Sequence, residues 1–505
     1  MKRALKTIFS SAFIGACLLG CVSCMDKTPG DYILLEDGMK DLNSADQICN
    51  GMYTKLMSGA LYSGYLTLCP DIQADLVHAV QGNSNAYGNI WQWNILASNS
   101  EITSIYASLY KVIGQCNFFL DGVDALKASL TLDDEIQYLD HLHGEMLCAR
   151  ALAYSELAKC FCKAYEPENA ENELGLVLSD SFFREAPKKR ASLKDSYAFI
   201  IADLEKACEL LDKDLDKANS PYFSYAAAQA IWARVCLNMQ DWDGAVEHSS
   251  YLLDSGIFTL ADANTLYTSS QSYFKYMWTN DAAYEIIFKV GYTSTSYGAA
   301  TGSVFLNFTR DYTYYYPDYV PSNWVVNGLY SSADLRYAAY FSELQTGYSH
   351  GLTCPLLIKY RGNEALIANK IFHVNMPKPL RLAEQYLIRA EAYCRKGEFA
   401  KANHDINKLR SKRLSSGGSL SLNEDNWLDN ISNERVRELY MEGFRLNDLK
   451  RWHRGFERTP QTNCLSEGGS LKVPADDPLF VWPIPRNEIE APGSEIEGNE
   501  SNSKR

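Results

Sequence analysis

Two segments of this chain repeat one spacing of small and aromatic residues, and that spacing restricts the fold more than any other feature. The matching positions are Ala226, Ala233, Trp242 and Ala245 in one copy and Ala383, Ala390, Phe399 and Ala402 in the other. Small alanines let two helices approach closely, and the aromatic residue fills the space after a short turn. The pattern predicts tetratricopeptide-type helical hairpins, and GEMLCARALAY at Gly144–Tyr154 has the appearance of a third.

Helical periodicity recurs on both sides of an irregular middle region. The predicted helices are Asp46–Met57, Ser104–Leu126, Asp133–Ala164, Ser192–Leu211, Ser224–Gln240, Trp242–Ser255, Leu382–Lys396, Phe399–Arg413 and Asn433–Arg454. Residues 258–379 are instead rich in Tyr, Ser, Gly and Asn, with short β-like runs at Tyr284–Val290 and Leu356–Tyr360. The expected fold is therefore mainly α-helical, with an irregular region packed on a helical scaffold.

The segment Glu434–Trp452, ERVRELYMEGFRLNDLKRW, carries two stripes when it is drawn as one helix. The first stripe places these residues on one face: Val436, Leu439, Gly443, Leu446 and Leu449. In the second stripe the charges largely alternate in sign at pairing distance: Arg435, Glu438, Glu442, Arg445, Asp448 and Arg451. We therefore expect a single packed helix whose other side is held by ion pairs.

The N-terminus predicts export. Lys2, Arg3 and Lys6 precede an apolar run, Ile8–Leu19, that is too short for an ordinary membrane-spanning helix. LLGC, ending at Cys21, fits a lipoprotein cleavage box, and CVSC, ending at Cys24, fits it less well. A lipid anchor would tether a soluble body to a membrane without embedding it. The alternative is a plain secretory signal with incidental cysteines.

Charge and cysteine content exclude some classes of function. A formal net charge of −14 without a basic block argues against nucleic-acid binding and against docking on anionic lipid. The later cysteines form no repeating framework, and most lie in apolar helical segments, such as Cys116, Cys148 and Cys236. We therefore expect buried thiols rather than a disulfide scaffold.

Several motifs resemble those of the SusD/RagB family, the surface nutrient-binding lipoproteins of Bacteroidetes. The Glu434–Trp452 segment is similar to a family pattern that runs roughly ER-x-x-EL-x-x-EG-x-R-x-x-DL-x-RW. RLAEQYLIRAEAY at Arg381–Tyr393 and WPIPRNEI at Trp482–Ile489 are similar to further family motifs. Tyr106 stands where the family usually has Trp, and Gly498 where it usually has Gln. The resemblance extends over nearly all of the chain after its leader.

The resemblance implies a SusD-like fold with four tetratricopeptide-like helix pairs packed against loops with short strands. It divides the chain into a signal peptide at 1–23, a lipidated linker at 24–44 and a single domain at 45–505. The helical scaffold would lie mainly at 45–257 and 381–455, and the ligand loops mainly at 76–100 and 258–379. Because Ser23, Cys24, Asp26 and Pro29 match the family's SC-x-D-x-x-P, we favour Cys24 over Cys21 as the lipidated residue.

Catalytic signatures are weak. Glu438 and Glu442, one turn apart on the drawn helix, loosely suit the carboxylate spacing of a retaining glycosidase. A catalytic acid needs a raised pKa away from positive charge, whereas Arg435 and Arg445 lie on the same stripe. We expect structural ion pairs there and no enzyme. No cofactor is expected, and the Asp-rich composition leaves a structural calcium ion open without any EF-hand spacing to support it.

Aromatic residues make up 12% of the chain and cluster in two irregular regions. A flat ring offers a platform for the C–H face of a sugar, and loops vary such groups without harming the core. The candidate ligand contacts are Tyr87, Trp91, Tyr297, Tyr314, Tyr315 and Trp324. Core packing is the alternative role for each of them, and it is the role that we favour for Trp93 and Trp278.

We therefore expect a lipid-anchored protein of the outer membrane that captures an oligosaccharide at the cell surface. The resemblance implies delivery to a SusC-like, TonB-dependent transporter, on which the protein would sit as a hinged lid. A peptide ligand is the alternative within the binding class. A secreted glycan-active enzyme is the alternative from another class, and a scaffold for protein contacts is a third.

Overall fold

The computed structural model describes residues 38–80, 86–308, 313–348, 352–461 and 471–503. Its α-helices are α1 (Leu42–Leu56), α2 (Tyr65–Gln73), α3 (Gly88–Trp91), α4 (Ser100–Ser129), α5 (Asp133–Phe161), α6 (Leu193–Leu210), α7 (Tyr225–Met239), α8 (Trp242–Asp254), α9 (Tyr273–Asn280), α10 (Ser303–Leu306), α11 (Arg336–Tyr340), α12 (Glu364–Ala368), α13 (Leu382–Arg395), α14 (Phe399–Ser411), α15 (Trp427–Leu439), α16 (Arg445–Arg451) and α17 (Arg486–Ile489). The prediction of a mainly α-helical fold is confirmed. The predicted signal peptide, Cys21, Cys24 and most of the linker lie outside the described residues.

The alanine repeats build the helical stack. Helices α4, α5, α6, α7, α8, α13 and α14 pack in that order, each against the next. All six alanines of the two repeats are fully buried, and Ala233 and Ala245 share one apolar cluster with Ile388 of the other repeat. Because methyl side chains fill little space, the return helix of one hairpin can pack directly on the first helix of the next.

Polar residues at the N-termini explain where the scaffold helices begin. The side chain of Asn99 accepts a hydrogen bond from Ile102 N (3.0 Å) at the start of α4. Ser192 accepts one from Asp195 N (3.0 Å) at the start of α6, and Asp241 accepts one from Gly244 N (3.0 Å) at the start of α8. Each cap satisfies a backbone donor that has no partner within its helix.

The prediction of one helix over Glu434–Trp452 is wrong. Helix α15 ends at Leu439, Met441 (φ 58°) and Gly443 (φ 85°) adopt left-handed conformations, and α16 begins at Arg445. Asp71 of α2 causes the break, because its carboxylate accepts hydrogen bonds from Gly443 N (3.0 Å) and Arg445 N (2.9 Å). The side chain thereby caps α16 from a distant part of the chain.

Among the described residues, the strands form four two-stranded antiparallel ribbons. They pair β1 (Val77–Ala79) with β3 (Tyr319–Pro321), β2 (Ile286–Phe288) with β6 (Leu380–Arg381), β4 (Phe341–Gln345) with β5 (Thr353–Leu357), and β7 (Phe456–Arg458) with β8 (Leu471–Val473). The β6 strand leads directly into α13, so the β2·β6 ribbon ties the irregular region to the helical stack.

The helical stack and the irregular region each have a hydrophobic core. Trp278 is 3% exposed in the second core, and half-buried Trp93 packs on the rings of Phe456 and Phe480, which confirms the packing role predicted for both tryptophans. Within the described ranges the cysteines are free thiols, and all but Cys208 are buried. A search of the same ranges finds no helix with the length and apolar character needed to cross a membrane.

Candidate functional site

The β1·β3 ribbon brings the two predicted ligand-loop regions together. Val77 pairs with Pro321 and Ala79 with Tyr319, although the two strands lie far apart in the chain. The Tyr319 hydroxyl also donates to the Ala86 carbonyl (2.5 Å). We call the surface formed by this ribbon and the adjoining segments 86–93, 292–300 and 313–330 the ribbon face.

Two tryptophans of the ribbon face are anchored through their indole nitrogens. Trp91 is 9% exposed and donates to the Val77 carbonyl (3.1 Å), and the guanidinium carbon of Arg458 lies 4.4 Å from its ring centroid. Trp324 is half-buried and donates to the Asp75 carbonyl (2.7 Å). The structure gives Trp91 the packing role, because buried neighbours cover its ring, whereas Trp324 keeps part of its ring at the surface.

Tyr87 and Tyr297 stand on either side of the turn at residues 58–65. Tyr87 is half-buried in a left-handed conformation (φ 56°), with its ring edge-on to Tyr65 at 5.7 Å. Tyr297 is 42% exposed. The next residue must be glycine, because a Cβ on Gly298 would lie 2.1 Å from the Tyr292 hydroxyl. Ala299 N also donates to the Ser63 hydroxyl (3.1 Å), which holds the Tyr297 loop against the turn.

Tyr314 and Tyr315 are both half-buried. Tyr315 pairs with Phe308 and Thr346 through isolated β-bridges, and its ring lies 5.1 Å from the ring of Phe308. These contacts tie Tyr315 to two neighbouring segments of the irregular region. Ligand contact at the predicted positions of the ribbon face stays a prediction.

Sequence reasoning missed the other groups that shape the ribbon face. The Tyr348 ring meets the Tyr316 ring edge-on at 4.8 Å. Arg445 donates to both carboxylate oxygens of Asp75 (2.8 Å each), and its guanidinium carbon lies 5.6 Å from the Trp324 ring centroid. The glycine before Tyr348 was the one local signal, because glycine permits close approach of backbone to a ring.

The carboxylates considered for catalysis are held in ion pairs. Glu438 accepts hydrogen bonds from Arg413 Nε (2.9 Å) and Arg381 Nη1 (3.1 Å), and Glu442 accepts one from Arg381 Nη2 (2.7 Å). Burial raises the pKa of Glu438, but Arg413 and Arg381 outweigh burial and hold that pKa well below its usual range. The same balance, with Arg381 and Lys359, lowers the pKa of Glu442. The prediction of structural ion pairing is confirmed.

Glu438 belongs to a larger buried cluster, which we call the ionic knot, and Glu442 borders that cluster through its ion pair with Arg381. Its members are Glu285, Asp334, Arg336, Arg381, Arg413, Glu434 and Glu438, and none is more than 5% exposed. The knot joins α15 to α11, to β2·β6 and to the end of α14. Nearby arginines lower the pKa of Glu434 and of Glu438, whereas a general acid needs a raised pKa.

Metal ligation finds little support in the part of the chain that the structure describes. No group of three or more His, Cys, Asp and Glu side chains there is arranged to hold a metal ion. The structural calcium ion left open by the composition therefore stays a prediction without a described site.

The fold and the face together define a class: a helical-repeat protein whose irregular side presents aromatic loops. A family model described as "Starch-binding associating with outer membrane" matches residues 36–237, and the model of the SusD family matches residues 369–494. The chain belongs to the SusD/RagB family. The two matches flank residues 238–368, which carry most of the tyrosine-rich loops.

Two relatives agree with this assignment, and a solved structure shows the same fold. The starch-binding protein SusD of Bacteroides thetaiotaomicron is 30% identical over 145 residues, which are 28% of this chain and 25% of that protein. A SusD-like protein, P38, of Formosa agariphila is 24% identical over 409 residues, 71% of this chain and 74% of that protein. A crystal structure of a SusD superfamily protein from Bacteroides thetaiotaomicron superposes with a TM-score of 0.75 at 24% identity, covering 91% of this chain and 99% of that one.

Proposed function

We propose that this protein binds a glycan at the cell surface with its ribbon face. The observation that carries the proposal is that three separate loops hold aromatic rings beside the β1·β3 ribbon and the turn at residues 58–65. Tyr297, Trp324 and Tyr87 come from three segments, and hydrogen bonds or close packing anchor each segment. Rings positioned before the ligand arrives lose little entropy on binding.

Stacking and hydrogen bonding would share the recognition. The exposed faces of Tyr297 and Trp324 would take the C–H faces of sugar rings, and nearby polar side chains would bind the hydroxyls. Asn323 and Asn327 lie beside Trp324 and are at least partly exposed. Weak contacts at several rings suit a protein that must release what it captures.

Family membership supports delivery to a SusC-like, TonB-dependent transporter at the outer membrane. The anchor would be an acyl chain on Cys24, with Cys21 as the alternative, followed by a linker that reaches the first scaffold helix at Leu42. A single lipid-anchored arm would let the domain swing over the barrel while it stays attached to the membrane.

The ion pairs of the ionic knot support a binding role without catalysis. Glu438 and Glu442, the two carboxylates whose spacing loosely suits a glycosidase, are both engaged in ion pairs with arginines. An enzyme of this kind would need an unpaired carboxylic acid next to the sugar.

Affinity electrophoresis of the full-length protein in detergent, through gels containing plant, host or microbial polysaccharides, tests the proposal. We expect retardation by one polymer, with no new reducing ends, and loss of retardation in Tyr297→Ala. Phe183→Ala is the matched control, because Phe183 is 56% exposed and lies outside the ribbon face. New reducing ends would overturn the non-catalytic role. Binding of peptides, together with no retardation by any of the polysaccharides, would overturn the choice of a glycan as the ligand.

A further inference from the structure

A cleft of about 540 Å³ lies among residues that have no part in the ribbon face. Four of its lining residues are tyrosines: Tyr267, Tyr273, Tyr276 and Tyr284. Apart from Leu260, the remaining lining residues are small or polar, and they include Asn219, Thr259, Asp262 and Thr265. We call this site the tyrosine cleft. Its volume lies within the roughly 300–1,000 Å³ of typical small-ligand clefts.

The rings of the tyrosine cleft are both exposed and ordered. Tyr284 is 70% exposed, Tyr267 47% and Tyr273 43%. The Tyr267 ring lies 3.8 Å from the Tyr276 ring and 5.2 Å from the Tyr273 ring, measured between centroids. Tyr273 and Tyr276 occupy the first turn of α9, three residues apart, so they lie on the same side of that helix.

A tight turn holds Tyr267 over the helix. Its backbone nitrogen donates to the Gln271 carbonyl (2.8 Å), and Tyr273 N donates to the Thr265 carbonyl (3.0 Å). The Ser272 hydroxyl then caps α9 by accepting from Lys275 N (3.2 Å). A ligand therefore meets rings that are already in place, and binding does not need to order the loop.

The lining of the cleft carries no unpaired charge. Asp262 is its one ionisable acid, and Lys412 donates to that carboxylate (2.8 Å). Asn219 is half-buried and adds an amide side chain to the lining. An amide group can exchange hydrogen bonds with the hydroxyl groups of a neutral ligand.

We propose that the tyrosine cleft is a second binding site, for a neutral oligosaccharide. The exposed rings of Tyr284 and Tyr273 take the apolar faces of sugar units, and the Asn219 amide forms a hydrogen bond with a sugar hydroxyl. A charged ligand gains no ion pair from this lining, which favours a neutral one. The proposal rests on the proposed function for the class of ligand only, since the cleft and the ribbon face share no residues.

Tetranitromethane nitrates exposed tyrosines, and mass spectrometry of the full-length protein measures the extent of nitration at each tyrosine. The two proposed sites can therefore be followed separately in one sample. The probe is a mixture of maltohexaose, cellohexaose, xylohexaose and mannohexaose at millimolar concentration. We expect the mixture to protect Tyr284 and Tyr273 and to leave Tyr222 unchanged, because Tyr222 is 49% exposed but does not line the cleft. Unchanged nitration of Tyr284 overturns the second site.

Tyr297, nitrated in the same sample, separates the two proposals. Protection of Tyr297 without Tyr284 overturns the second site and leaves the proposed function standing. Protection of Tyr284 without Tyr297 supports the second site and counts against the ribbon face. Protection of neither overturns both.

Variants measure the strength of the second site. In a Tyr297→Ala background, we expect Tyr284→Ala to weaken binding of the protecting hexasaccharide by about threefold to tenfold, the range of one lost ring contact. Asn219→Gly removes the amide and preserves the left-handed backbone (φ 64°), so it tests the hydrogen bond without strain. Phe183→Ala controls for loss of an exposed ring. Equal affinity in Tyr284→Ala and Phe183→Ala overturns the proposal.

Discussion

Replacing Glu438 by Gln removes one charge from the centre of the ionic knot. The carboxylate accepts hydrogen bonds from Arg413 Nε (2.9 Å), Arg413 Nη2 (2.9 Å), Arg381 Nη1 (3.1 Å) and Arg336 Nη1 (3.1 Å). Gln has nearly the same shape, but it turns an NH₂ group toward arginine donors. The substitution therefore tests charge and hydrogen bonding with little change in packing.

The size of the effect follows from burial. Removing one partner of a buried ion pair typically costs about 3–5 kcal/mol, because the opposite charge stays buried. Arg336 and Arg413 are 0% exposed and Arg381 is 1% exposed, so water does not compensate them. In Glu438→Gln, Glu285 still pairs with Arg413 (2.9 Å) and Glu434 still pairs with Arg336 (2.7 Å). We therefore expect a loss of free energy of unfolding at the lower end of this range, about 3 kcal/mol. With an unfolding entropy of about 2.1 cal/mol/K per residue over about 450 residues, Tm falls by about 3 °C.

Urea unfolding followed by tryptophan fluorescence measures the free energy of unfolding of both proteins at neutral pH. The matched control is Glu209→Gln, which breaks a surface pair with Lys206 (2.8 Å) where the carboxylate is 66% exposed. Exposed pairs contribute about 0–1 kcal/mol, so the control should stay close to the parent protein. A loss below about 1 kcal/mol for Glu438→Gln would refute the reasoning that the buried charge stabilises the fold.

Three further outcomes are expected. The folded-state pKa of Glu438 lies below its ordinary value of 4.5, so the Glu438 carboxylate stabilises the fold fully above that pH and loses this effect as pH falls. The difference in urea midpoint between the parent protein and Glu438→Gln should therefore shrink in acid. A constant difference would contradict this. Gly443→Ala should lower the free energy of unfolding by about 1–3 kcal/mol more than Gly397→Ala. Both glycines have positive φ, but only a Cβ at position 443 would meet the backbone, at 2.9 Å from the Leu66 carbonyl oxygen. Equal losses in urea unfolding would show that the contact relaxes. Tyr297→Ala should weaken glycan binding severalfold by calorimetry with Tm unchanged, since the ring is 42% exposed, and a falling Tm would assign the ring to packing instead.

Local sequence patterns were enough to predict the helical stack. Alanines at fixed spacing allow close helix packing wherever they occur, and buried Ala233 and Ala390 use it in both repeats. The burial of cysteines in apolar helical segments was predictable for the same reason. The tyrosine-rich loops were also recognisable as loops, because turn-forming residues interrupt any periodicity there.

The break at Gly443 shows where periodicity misleads. The stripes drawn on Glu434–Trp452 are real features of the sequence, but Asp71 intervenes from α2 and caps α16. No residue near Gly443 in the sequence indicates that the Asp71 carboxylate lies beside it in the fold. Periodicity also could not tell that Glu438 pairs with Arg381 and Arg413 rather than with neighbours one turn away.

The amino-acid sequence was sufficient to predict the helices of the stack, the buried thiols and the regions rich in aromatic side chains, because those properties depend on residues close together in the chain. Tertiary structure alone decided which aromatic rings face solvent. Trp91 is covered by Arg458, while Tyr284, which drew no attention as a ligand contact, is 70% exposed beside Tyr267. The exposure of a side chain depends on contacts between segments that are distant in the sequence, and those contacts form only in the complete fold.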